Sequence, residues 1–263
     1  MRSIFDNEVK ATTRRIVLNA FNKFADPLIA KGEDITAHTL PADMWDFEQS
    51  IAAKFVSSDV ESQLNLNCYE WNEYVHNRNK HSRSFMLDGN ELHNNLNFDY
   101  IQGPLRRNLS ARKNFFMWAD FCGTPDCHSM NTLLHNKNYV TNSMLFVTFA
   151  CRWRNAYLPA KIWDLMSEMR SIFKPVCDSH IATYVVKNYI LDFLPKSFRP
   201  IVTIPYIATE GQGATPMMLL GFTNAPHVKC DELRARLNYP FNRDEKQTRD
   251  RDYHEAKKVC LSW

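Results

Sequence analysis

The sequence predicts an α+β fold, predominantly helical, with a smaller β-containing region toward its carboxyl end. Apolar residues recur at helical spacing through most of the first two hundred positions, Pro and Gly punctuate those stretches, and β-branched runs become prominent only after Pro200. With 263 residues, 44% of them apolar, the chain has enough apolar volume for a substantial core, and disorder is the wrong default.

The first helix is expected over 8–25, where Val9, Thr13, Ile16, Val17, Ala20, Phe21 and Phe24 form a stripe, with Pro27 and Gly32 ending it. A second starts near Pro41, whose fixed φ suits a first helical turn, and runs through MWDFEQSIAAKFV. Over 59–76, Asp59 reads as an N-cap, with Val60, Leu64, Cys68, Trp71 and Val75 on one side. The first hundred residues therefore read as mainly helical. Gly103 and Pro104 then break the chain. The spacing of Leu105, Leu109 and Phe116 makes LRRNLSARKNFFMWADF a helix, terminated by Gly123, Thr124 and Pro125. Residues 141–155 stay open between helix and strand, since Thr141 and Asn142 can cap while FVTFA is β-branched and aromatic.

Pro159 opens the next helix, whose stripe of Ile162, Leu165, Met166, Met169, Ile172 and Phe173 ends at Pro175. Asp178 caps SHIATYVVKNYILDFL, which Pro195 closes, and two such helices on a short link should pack as a pair. IVTIPYIATE reads as a strand that its proline demotes toward an edge, EGQGATP as a turn or loop, and MMLLGFT as a short apolar strand or buried loop. The organisation is thus an acidic helical region over 1–100, a basic helical region over 101–200 able to share a domain with it, and a small β-containing region with a charged tail over 201–263.

Charge separates these regions. Residues 1–100 carry ten Lys and Arg against fifteen Asp and Glu, whereas 101–200 carry thirteen against six. A basic middle suits an anionic ligand or a contact with the chain's own acidic end. Seven glycines and no regular repeat count against glycine-rich cofactor folds and solenoids, and EGQGATP lacks the Lys-Ser/Thr of a phosphate loop. The longest apolar stretch stops at Arg152, so a soluble intracellular chain without a membrane span is expected, its odd count of seven cysteines fitting reduced thiols.

The densest chemistry lies in RRNLSARKNFFMWADFCGTPDCHSMNTLLH, residues 106–135. Arg106, Arg107, Arg112 and Lys113 are spaced to meet successive phosphates, Phe116 and Trp118 to stack bases, and Arg152 and Arg154 flank Trp153 in a second basic and aromatic group. Cys122, Cys127, His128 and His135 supply four zinc-type ligands; with no open coordination position, such a zinc would be structural. These readings lead to a non-catalytic protein binding RNA or single-stranded DNA with sequence tolerance, serving in a genome-packaging or replication/transcription assembly with other protein subunits. Two alternatives stand beside it: a metal-dependent or hydrolytic enzyme with a site assembled from distant segments, and a structural docking subunit.

Overall fold

A largely buried sheet, more than long helices, organises this chain. In the computed structural model, placement is described for residues 8–40, 45–56, 61–70, 72–77, 95–103, 113–121, 123–134, 139, 142–151, 158–172, 178–210, 213–235 and 237. The helices are α1 (Glu8–Ile29), α2 (Asp46–Val56), α3 (Cys127–Leu134), α4 (Ala160–Ile172) and α5 (Asp178–Phe193), with a further helical stretch at 73–77. The strands are β1 (Ile35–Thr39), β2 (Leu64–Glu70), β3 (Leu96–Gln102), β4 (Phe115–Asp120), β5 (Ser143–Ala150), β6 (Arg199–Glu210), β7 (Gly213–Thr223) and β8 (Leu233–Arg234).

They form one sheet in the order β3-β2-β1-β4-β5-β7-β6-β8. Neighbours from β3 through β5 are parallel, β7 runs antiparallel to both β5 and β6, and β8 lies parallel to β6. Parallel strands need crossovers, and here helices supply them on both faces. On one face α1 and α2 bury Ile16, Phe21, Phe24 and Phe55 against Ala37, Leu66, Phe116 and Phe146. On the other, α3, α4 and α5 bury Met130, Ile162, Val186 and Ile190 against Met117, Leu145 and Val147. This is a doubly wound α/β architecture.

That architecture corrects the expectation of a predominantly helical α+β chain with β structure only near its carboxyl end. Three strands lie in the first hundred residues, and FFMWAD is β4 rather than the end of a helix. The physical reason is burial on both faces. Every residue of β5 is buried, as are the first five of β4, and a strand apolar on both sides shows no alternation to mark it. The helices over 8–25 and 159–195 and the strand after Pro200 are present, although α1 continues through Pro27 to Ile29.

Candidate active site at the carboxyl edge of the sheet

The chain leaves β1 toward α2 on one face and leaves β4 toward α3 on the other. Between these adjacent parallel strands the winding reverses, and the space outside their carboxyl ends is the usual ligand position in such sheets. Register fixes what stands there. Thr39, the last residue of β1, pairs with Cys68 of β2 and Trp118 of β4. Two residues beyond those partners come Glu70 and Asp120, the final residues of their strands. Side chains two apart share a face, so both acids lie at equal height on the α2 side, two strand spacings or about 10 Å apart.

Glu70 is fixed by its own turn. Its backbone carbonyl accepts from Gly103 N–H (2.9 Å), and its Oε1 accepts from Asn72 N–H (2.8 Å). Asn72 Oδ1 in turn accepts from the N–H groups of Tyr74 and Val75, starting the 73–77 helical stretch. Beyond Asp120, Phe121 stacks on Phe149 with ring centroids 5.3 Å apart, and Gly123 carbonyl accepts from Ala150 N–H (2.7 Å), which ties the β4–α3 connection to β5. Asp126 then caps α3 by accepting from Ser129 N–H (2.7 Å).

The β1–α2 connection contains no glycine, and Trp45 takes the left-handed backbone at φ 54° immediately before α2. Its indole is held against Tyr100 (4.8 Å between centroids) and Phe98 (5.9 Å), both on β3. His76 stacks on the other partner of this group, Tyr100, at 4.3 Å. Trp45 Nε1 and His76 Nδ1 are buried without a hydrogen-bond partner, an arrangement that costs about 1–3 kcal/mol for each group unless a polar ligand completes it.

Under α2's first turn lies Glu48, 2% exposed. Burial pushes its carboxyl up to about 7, against hydrogen bonding from its own backbone and Thr39 and the charge of Arg14, while Asp46 adds to the rise. Thr39 Oγ1 is also 3.3 Å from Cys68 Sγ, a thiol driven upward chiefly by burial and then by Glu48. A carboxyl that holds its proton more tightly when folded stabilises the fold fully below the ordinary carboxylate range. That stability is lost as pH rises toward 7. Urea unfolding should therefore show native stability falling between pH 5 and 7.5 by the order of 3 kcal/mol relative to Glu48→Gln. Parallel pH profiles for the two proteins would contradict it.

Those residues singled out by sequence that are described fall elsewhere. Phe116 and Trp118 are buried in the α1–α2 core, where Trp118 Nε1 donates to Thr148 Oγ1 (3.4 Å), so neither ring can stack a base. Lys113 Nζ lies 3.1 Å from Glu33 Oε2 and holds that carboxyl below its usual range. Arg106, Arg107, Arg112, Arg152, Arg154, Cys122 and His135 lie outside the described residues. Cys127 and His128 are successive residues of α3 and project roughly 100° apart around it. Among the described residues no three His, Cys, Asp or Glu side chains are grouped to hold a metal, and the structural zinc expectation is corrected accordingly.

Among solved structures, the chain is similar to a candidate RNA methyltransferase from Pyrococcus horikoshii, with 9% identity, 84% of this chain and 86% of that one covered, and a TM-score of 0.43. It is similar to a candidate class I S-adenosylmethionine-dependent methyltransferase from Listeria monocytogenes, with 8% identity, coverage of 95% and 71%, and a TM-score of 0.41. A third is a LepI variant in complex with S-adenosylhomocysteine and a substrate analogue, with 7% identity, 77% of this chain covered and a TM-score of 0.40; this chain spans 46% of its length. No protein-family model and no curated protein matches the sequence.

The non-catalytic nucleic-acid-binding expectation is corrected with the zinc. Its two base-stacking rings are core side chains, while Glu70 and Asp120 end strands beside the point where the winding reverses, the ligand position in such sheets. Neither Glu70 nor Asp120 is among the site residues that the sequence points to, although each closes its strand directly after buried residues. Among the described residues, no helix is long and apolar enough to cross a membrane.

Proposed function

We propose that this chain is an S-adenosylmethionine-dependent methyltransferase whose cofactor lies across the carboxyl ends of β1, β2 and β4. The observation that carries this reading is the register about β1, which sets Glu70 and Asp120 at equal height on either side of it, beside a connection with no phosphate-binding loop sequence. A dinucleotide needs glycine for close backbone approach to its pyrophosphate and an unobstructed helix N-terminus for its charge. Here the connection is glycine-free, and Asp46 and Glu48 occupy the first turn of α2. Asp46 in particular is an exposed carboxylate facing solvent and Arg14. Negative charge at that position repels phosphate and favours a cationic nucleoside.

Glu70 is placed to accept from ribose hydroxyls through Oε2, since Oε1 is occupied by Asn72. Trp45 Nε1 and His76 Nδ1 suit the ring nitrogens of a base, with the Tyr100 ring packed against both. When bound, S-adenosylmethionine supplies an electrophilic methyl group on a sulfonium. Asp120, at the end of β4, receives the proton that an oxygen or nitrogen acceptor gives up.

Titration calorimetry with S-adenosylhomocysteine tests the reading. Binding is expected, with Glu70→Ala weakening it about ten- to a hundredfold, as the loss of charged hydrogen bonds does. NAD should not bind. Absence of S-adenosylhomocysteine binding, or equal binding of NAD, overturns the assignment.

For the acceptor, the basic balance of residues 101–200 supports a nucleic acid. Methylation of RNA or single-stranded DNA should then show a KM that climbs steeply with salt while kcat changes little. A salt-independent KM would assign the acceptor to another class.

A further inference from the structure

A separate cavity of about 410 Å³ opens between α5 and the β6–β8 margin, lined in part by Tyr184, Lys187, Thr203, Pro205, Arg234 and Ala235. It lies four strand positions from β1, roughly 19 Å across the sheet from the candidate active site, and depends on none of the residues assigned there. Its volume is within the ordinary range for a small-molecule site.

The charges lining it do not balance. Lys187, only 7% exposed, has Nζ 3.3 Å from Glu232 Oε1, which also accepts from Thr203 Oγ1 (2.5 Å). Glu232 Oε2 accepts two hydrogen bonds from Arg234, through Nε (2.8 Å) and Nη2 (2.6 Å). One carboxylate is thus shared by a lysine and an arginine side chain. Although burial opposes its ionisation, the donors from Arg234, Thr203 and Lys187 hold Glu232 below the usual carboxylate range. Among the described residues this group keeps a net single positive charge, carried at the mouth of the cavity by Arg234, whose side chain is 72% exposed. Among the described residues, Thr183, Tyr184, Pro205 and Ala235 complete the lining. Tyr184 is half exposed, with Lys187 Nζ 5.2 Å from its ring centroid, and Pro205 and Ala235 carry no charge.

We propose that this cavity is a binding site for a small planar monoanion, an aryl carboxylate, whose carboxylate pairs with Lys187 and Arg234 while its ring packs on Tyr184 and Pro205. The ligand's single charge matches the single uncompensated cation, and its body matches Tyr184, Pro205 and Ala235. A Glu232 already saturated by three side-chain donors has no role as a proton acceptor, so the cavity binds without catalysing.

Titration of the full chain with indole-3-carboxylate, its neutral amide and inorganic phosphate, followed by NMR line shifts, decides the matter. Indole-3-carboxylate should bind at submillimolar concentration and at least tenfold more tightly than either control. Arg234→Ala, at a side chain 72% exposed, leaves Lys187 and Glu232 as a neutral pair and should weaken binding at least tenfold. Glu232→Gln raises the net charge and should tighten it. Equal binding of the amide, phosphate binding as tightly as the carboxylate, or affinity unchanged by Arg234→Ala overturns the proposal. S-adenosylhomocysteine affinity, measured in the same samples, should stay within about twofold in Arg234→Ala, which keeps this result distinct from the reading of the candidate active site.

Discussion

Asp120→Asn should lower kcat for methyl transfer by about two to four orders of magnitude while leaving S-adenosylhomocysteine affinity within about threefold. Asparagine keeps the size and nearly the shape of the side chain but removes its capacity to accept a proton. Asp120 ends β4 in register with Thr148 of β5, so backbone pairing on that side is untouched by the change. The loss should therefore appear in single-turnover rate and not in cofactor binding. Glu70→Ala should do the reverse, because its carboxylate stands on β2, on the far side of β1 from the proton acceptor. An Asp120→Asn protein that turns over at the native rate would show that the acceptor loses its proton elsewhere. A protein that loses both rate and cofactor affinity would place Asp120 in cofactor binding instead.

The sequence makes some of this molecule legible and conceals the rest for definable reasons. The pair α4 and α5 is readable because Pro159, Pro175 and Pro195 bracket two amphipathic stripes, only one side of which meets the sheet. The stretch over 59–76 misleads because Leu64 and Cys68 are four apart, a spacing that a helix and a strand both place on one face. The decisive residues were the intervening ones: Leu66 is as buried as its neighbours, while Asn65 and Asn67 are less so, which is strand alternation. β4 gives no such clue, since Phe115 and Phe116 face opposite cores and both are fully buried. The site was harder still. Glu70 and Asp120 become a pair only once β1 is known to lie between them, and that adjacency joins segments some eighty residues apart.

Gly221→Val should be the most destabilising single change, lowering unfolding free energy by more than about 3 kcal/mol, with Gly221→Ala costing about 1–3 kcal/mol. Gly221 sits in β7 opposite Phe146 of β5, and a Cβ there would lie 2.5 Å from Phe146 Cε1 and 2.8 Å from Cζ. The ring has nowhere to retreat. Phe146 is fully buried and tilts against Phe116 at 6.3 Å, Phe116 meets Phe21 of α1 edge-on at 4.9 Å, and Phe47 of α2 stacks on Phe116 at 5.9 Å. This column runs from the antiparallel strand to the first turn of α2, one residue from Glu48 and two from Trp45. Pressure at Gly221 should therefore reach the candidate active site as well as the core. Urea unfolding and S-adenosylhomocysteine titration of Gly221→Ala, Phe146→Leu and the double variant form a cycle that tests it. Shrinking the ring should recover much of both losses in the double variant. Strictly additive energies would mean that the steric conflict is relieved by backbone movement of β7, and that the aromatic column does not carry it to α2.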